Sequence, residues 1–204
     1  VVEDAAYREL YYRDAPVAPS VLSLPAWEKF PMLYTATLTK PFATGLKVGY
    51  GFCTDEAWLK KMLHVKGHHD FGTANFNQAI LEHALGSGNY DRQLAHIRAA
   101  YERKMRALHD SLIREGLPAL GWTWVVPGGG LYLWLSGPRE LETGLDSAFC
   151  RACLEAGVLY VPGELCFGDD APLHFIRASF GVLNECDLAE AGRRFVAVAK
   201  RFGQ

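Results

Sequence analysis

Residues 34–50 read YTATLTKPFATGLKVGY. The apolar, β-prone run Met32 to Leu38 leads into Thr39-Lys40-Pro41, and Gly45-Leu46-Lys47-Val48-Gly49 closes the loop that follows. Lysine ordinarily belongs on a solvated surface. Here it ends an apolar strand, with glycines loosening the backbone after it, a placement that suits an amine held beside a ligand. A lysine kept from water can lose its proton and form a Schiff base with an aldehyde. On spacing alone, a strand ending in a charged turn is the simpler reading.

Two distant stretches shift that balance. Val1-Val2-Glu3-Asp4-Ala5-Ala6-Tyr7 puts an acid and a tyrosine just after an apolar strand end, and Ile176-Arg177-Ala178-Ser179-Phe180 puts an arginine inside a strand. Pro127-Gly-Gly-Gly-Leu-Tyr-Leu-Trp134 and Val161-Pro162-Gly163 with Phe167 complete an ordered set. Together these resemble the C-terminal portion of a fold-type-I pyridoxal-phosphate (PLP) enzyme of the class I/II aminotransferases. That family shows an Asp-x-x-Tyr turn, Ser/Thr-Lys with a Gly-Leu-Arg-x-Gly tail, and a late strand arginine. The resemblance runs over nearly the whole chain. It implies an α/β fold: residues 1–88 as the remainder of a mostly parallel large-domain sheet, and 89–204 as a linking helix plus a smaller α+β C-terminal domain.

The resemblance also implies roles. Lys40 is the amine that holds the cofactor aldehyde and then moves a proton as general base and acid. Asp4 is the partner of the pyridine nitrogen, favouring its protonated form. Tyr7 is a phenol on the ring oxygen; Thr39 and Lys47 are phosphate contacts. Lys47 departs from the family, which has an arginine there, and a lysine is a point charge where arginine offers a two-pronged grip. Arg177 is the grip on a substrate α-carboxylate. The glycine-rich phosphate turn, the stacking aromatic and the asparagine of such sites have no counterpart in these residues, and a partner-subunit tyrosine is expected as well. The implied reaction moves an amino group from an α-amino acid to a 2-oxo acid, with a slight lean to aromatic, aminoadipate-like or other bulky donors, in a cytoplasmic homodimer. A lyase, decarboxylase or synthase on the same fold is an alternative. So are a PLP-binding effector domain of a transcription regulator and a catalytically dead fragment kept for assembly.

Composition agrees with a globular protein: 204 residues, half of them hydrophobic and 22% charged. A net charge of −2 implies no basic face and makes nucleic acid an unsuitable partner for this segment. No apolar run approaches the roughly 18 residues of a membrane span, and no signal peptide is visible. Five cysteines, an odd number, fit reduced thiols. Cys150-Arg-Ala-Cys153 lies in a helical pattern without a second pair, so a buried packing role is expected rather than a metal site. His64, His68 and His69 read as a surface loop, with no metal expected. Val1-Val2 reads as the middle of a strand, so the sequence is expected to be a fragment or a processed piece.

In order, Val1 to Glu3 reads as the end of a buried strand, and Asp4 to Arg13 as a turn opening into a short helical or irregular segment. Residues 16–31, with four prolines, read as a loop. Strands follow at 32–38 and 47–52. Asp55 caps a helix bearing Trp58, Leu59, Met62 and Leu63; 64–72 reads as a polar loop. A helix from Thr73 or Asn75 runs through Phe76, Ile80 and Ala84 to Gly86. Leu94, Ile97, Tyr101, Met105, Leu108 and Leu112 mark a long amphipathic helix. Trp122 to Val126 and Leu131 to Leu135 read as a hairpin. A helix over about 145–156, a short buried strand at 158–161, a strand at 174–180 and a last helix capped by Asn184 complete the chain. In the 174–180 strand Ile176 and Ala178 face one way, and Phe175, Arg177 and Ser179 the other.

Overall fold

The computed structural model describes residues 1–12, 15–169 and 171–203. Arg13, the last residue of the segment expected from Asp4, lies outside them. The chain divides into two compact units, Val1–Ala99 and Ala100–Gln204.

In the first unit, strands β1 (Val2–Asp4), β2 (Leu33–Thr37) and β3 (Gly49–Cys53) form one sheet in that order. β1 and β2 are parallel, and β2 and β3 antiparallel. The long 5–32 connection is what a parallel pair requires. It is not all loop: Val21–Ser23 and Trp27–Lys29 are 3-10 turns, the first capped by Ser20. Gly49 is needed where β2 and β3 approach, because a Cβ there would meet the Ala36 carbonyl oxygen at 2.8 Å. β1 is not a buried strand here: Val1 and Val2 are 55% and 65% exposed on the sheet's edge.

Three helices follow: α1 (Glu56–Asp70), α2 (Asn75–Gly86) and α3 (Asn89–Arg114), the last running into the second unit. Asp55 caps α1 by accepting from the Trp58 N–H at 2.8 Å. The helix then runs through the stretch that reads as a polar loop, so His64, His68 and His69 are helical. Lysine, histidine and valine there cost little helix propensity, while the cap and the Lys66–Asp70 pair support the helix at each end. α2 buries Leu81 and Ala84, whereas Phe76 stays exposed. Along α3, Leu94, Met105, Leu108 and Leu112 are buried as the stripe predicts.

In the second unit, β4 (Thr123–Trp124), β5 (Tyr132–Ser136), β6 (Val161–Pro162) and β7 (Phe175–Ser179) form an antiparallel sheet in the order β4-β5-β7-β6. The predicted hairpin is β4–β5. The short buried strand lies later than expected, at Val161–Pro162, and Leu159 is exposed. α4 (Ala148–Glu155) starts at the Ser147 cap, leaving Leu145 outside it; α5 (Glu185–Phe202) starts at Asn184. The inner sheet face pairs Leu133 with Ala178 and Leu135 with Ile176. Trp122, Phe149 and Phe195 form an edge-and-tilt aromatic cluster at 5.2–5.8 Å, and all three are buried. Cys150 and Cys153 are buried on α4, and burial pushes the Cys153 thiol up to about 12. They pack as small hydrophobes. No helix among the described residues is long and apolar enough to cross a membrane.

Candidate active site

In the first unit, the two turns that carry the candidate residues leave the carboxyl ends of the parallel strands β1 and β2. That end of such a pair is where open α/β sheets bind ligands. Asp4 is the last residue of β1, opposite Thr35. Its Oδ1 accepts from the Ala6 N–H at 3.0 Å, which fixes the carboxylate against its own turn. Tyr7 is three residues further on, and Lys40 is three residues past the end of β2. Their side chains meet: Lys40 Nζ lies 4.2 Å from the Tyr7 ring centroid.

The Lys40 loop is tied down along its length. Leu38 N–H donates to the Val48 carbonyl at 3.0 Å. The Thr37 hydroxyl donates to the same carbonyl at 3.2 Å and accepts from Thr39 N–H at 3.0 Å. Asn77 on α2 donates to the Leu46 carbonyl at 2.9 Å, and Phe42 stacks on Tyr90 of α3 at 5.6 Å. Burial, and secondarily Glu9, pushes the Tyr90 phenol up to about 12, so this wall stays neutral.

Thr39 is half-buried, with its hydroxyl 3.5 Å from the Val48 carbonyl. Lys47 is exposed and adopts a left-handed backbone, φ 54°, which costs a residue with a Cβ about 1–2 kcal/mol. Among the described residues no carboxylate or carbonyl takes either the Lys40 or the Lys47 ammonium. Of the candidates in this unit, Lys40 and Tyr7 are shown in contact, while Asp4, Thr39 and Lys47 are each shown only in their own turns; the types present are an amine, a phenol, a carboxylate, a hydroxyl and a second ammonium. That set fits pyridoxal phosphate.

Arg177 belongs to the second unit, on the outer face of β7. Among the described residues its buried Nε has no hydrogen-bond partner, a costly state for a charged group. Its Cζ lies 4.6 Å from the Tyr132 ring centroid. Trp134, directly opposite Arg177, stacks instead on Phe175 at 5.5 Å and 16°, and contacts Phe167 at 5.9 Å. Thr37, Asn77 and Tyr132 escaped the sequence reading. None of the three had a local signal, and the β5–β7 register by itself would have pointed to Trp134 rather than Tyr132.

The family model for aminotransferase class I and II matches residues 1–194. A 2-aminoadipate transaminase of Thermus thermophilus is 32% identical over 195 residues, covering 95% of this chain and 47% of that protein. The HTH-type transcriptional regulator YisV of Bacillus subtilis, uncharacterized, is 26% identical and is covered over 39% of its length. The crystal structure of LysN, the α-aminoadipate aminotransferase of Thermus thermophilus complexed with N-(5'-phosphopyridoxyl)-L-leucine, superposes with a TM-score of 0.86. Its identity is 30%, over 98% of this chain and 50% of that one. The chain thus spans about half the length of the aminotransferases it matches. With the family model covering all but the last helical turns, the chain belongs to the class I and II aminotransferases.

Proposed function

We propose that the full-length protein transfers an amino group from an α-amino acid to a 2-oxo acid with pyridoxal phosphate. The observation that carries this reading is the convergence of Lys40 and Tyr7, 4.2 Å apart, from the carboxyl ends of two parallel strands. When bound, the cofactor supplies an aldehyde that captures the substrate amine and a ring that takes up the electron pair left as Cα–H breaks. Lys40 Nζ accepts the proton leaving substrate Cα and returns one in the reverse half-reaction. Asp4 holds the pyridine nitrogen in its protonated form. Tyr7 donates to the ring oxygen and, lying under Lys40, limits where that amine can point. Thr39 and Lys47 take the phosphate. Arg177 forks the substrate α-carboxylate.

The similarity to HTH-type regulators supports a second reading, a PLP-binding effector domain. We place residues 1–88 in the large cofactor-binding domain, 89–204 in the linking helix and small domain, and the whole protein in a cytoplasmic homodimer. The test is absorbance of the full-length protein with pyridoxal phosphate, followed by borohydride reduction and peptide mapping. A visible-edge band and a pyridoxyl label on Lys40 are expected. Label on another residue, or no band, overturns the assignment. A labelled protein that does not transaminate but binds DNA favours the regulator.

A further inference from the structure

We propose that Tyr132 is the positioning residue for Arg177, its ring face holding the guanidinium so that the edge donors stay free to fork a carboxylate. This rests on the reading of Arg177 as the substrate grip. The β5–β7 register puts Trp134 directly opposite Arg177 and Tyr132 diagonally away, opposite Ser179. Direct cross-strand neighbours normally make the closer contact. Here the guanidinium passes Trp134 and lies over Tyr132, 4.6 Å from its centroid. The reason is visible in the rings: Trp134 is held by Phe175 and Phe167. On the other side of Arg177 stands Val161, which offers no π face.

Among the described residues Nε is buried without a partner, and no hydrogen bond or ion pair takes the other guanidinium nitrogens. A protein carboxylate in that role would occupy the fork that a substrate needs. A ring beneath the plane fixes the tilt and leaves the fork open. The tyrosine face, not its hydroxyl, carries the effect.

The experiment uses the full-length holoprotein and its variants Tyr132→Leu, Tyr132→Phe, Arg177→Ala and Tyr132→Leu/Arg177→Ala. Steady-state transamination gives KM and kcat, and calorimetry gives Kd for 3-phenylpropionate, a carboxylate without an amine. Tyr132→Leu is expected to raise donor KM and the probe Kd about 3- to 30-fold, the span of a cation–π contact, with kcat nearly unchanged. Tyr132→Phe stays near wild type, and Tyr132→Leu adds nothing once Arg177 is alanine. Tyr132→Met is a second ring-free variant, so the comparison does not hang on one substitution folding. Unchanged KM and Kd in the ring-free variants overturn the proposal. So does equal loss in Tyr132→Phe, or the full effect persisting without Arg177. A wild type that does not transaminate defeats the functional reading instead, while carboxylate binding still tests the Tyr132–Arg177 link.

Discussion

The two units handle their sheets in opposite ways. In the second, Leu133, Leu135 and Ile176 on the inner sheet face are at most 1% exposed, as is Phe149 of α4. In the first, no residue of β1, β2 or β3 is buried, and α1 buries none of its 15 residues. The buried hydrophobic side chains of that unit lie outside its strands: Ala5, Leu10, Tyr12, Met32 and Val48 in the connections, with Leu81, Ala84, Tyr90 and Leu94 on α2 and α3. In the first unit, part of that burial lies where Lys40 and Tyr7 emerge, at Ala5 and Val48, and part at the opposite end of β2, at Met32. The second is stabilised throughout by a core of its own. Scaffold and candidate chemistry are separable quantities here, and perturbing one should leave a distinct trace from perturbing the other.

The largest effect is expected at Lys40. In the full-length protein, Lys40→Ala should lower kcat about 10²- to 10⁴-fold, the usual worth of a positioned acid–base group. The unfolding midpoint should barely move. Activity within tenfold of wild type would break the assignment. Next is a pair that tests the contrast in packing. In the 204-residue chain, Phe195→Ala should cost about 3–5 kcal/mol in denaturant unfolding, as a buried aromatic at 4% exposure. Leu63→Ala on α1, at 56% exposure, should stay within about 0.5 kcal/mol. Comparable losses at both sites would show that α1 is not the open face described above.

A smaller effect comes from pH. The Cys153 thiol is raised from 9.0 to about 12 by burial, and secondarily by Cys150. The folded chain therefore keeps this proton while the unfolded chain loses it. Its contribution is complete below pH 9 and falls between pH 9 and 12, by about 1 kcal/mol at pH 10. Stability measured against pH should lose that component in Cys153→Ala; an identical slope in the variant would refute it. The smallest contrast lies in the caps. Asn184 accepts from Asp187 N–H at 2.9 Å, as Asp55 accepts from Trp58 N–H. Asn184→Ala should cost roughly 1 kcal/mol of global stability, since α5 carries core residues. Asp55→Ala should appear only as faster amide exchange in the first turn of α1.

Local chemistry was legible wherever a residue's own neighbours set it. Asp55 and Asn184 begin helices because their side chains satisfy amides three residues on, whereas the Ser147 cap, which starts α4 later than the expected 145, emerged only in the structure. The α3 stripe follows from spacing, and the β7 alternation from the two-residue period. The histidine-bearing end of α1 was misread because polar residues say little about whether a helix stops. Val1 and Val2 are exposed in this chain, which spans about half the length of its relatives, because apolar composition marks a strand, not what covers it.

By itself, the sequence determined the family, the order of the elements and the six residues worth testing, since motif spacing and periodicity are properties of a one-dimensional chain. Only the tertiary structure decided that Lys40 lies over Tyr7, that Thr37 and Asn77 clasp its loop, and that Arg177 passes Trp134 to reach Tyr132. These contacts join residues well separated along the chain. They depend on strand register and on which ring is already engaged, and neither is written in any local window of residues.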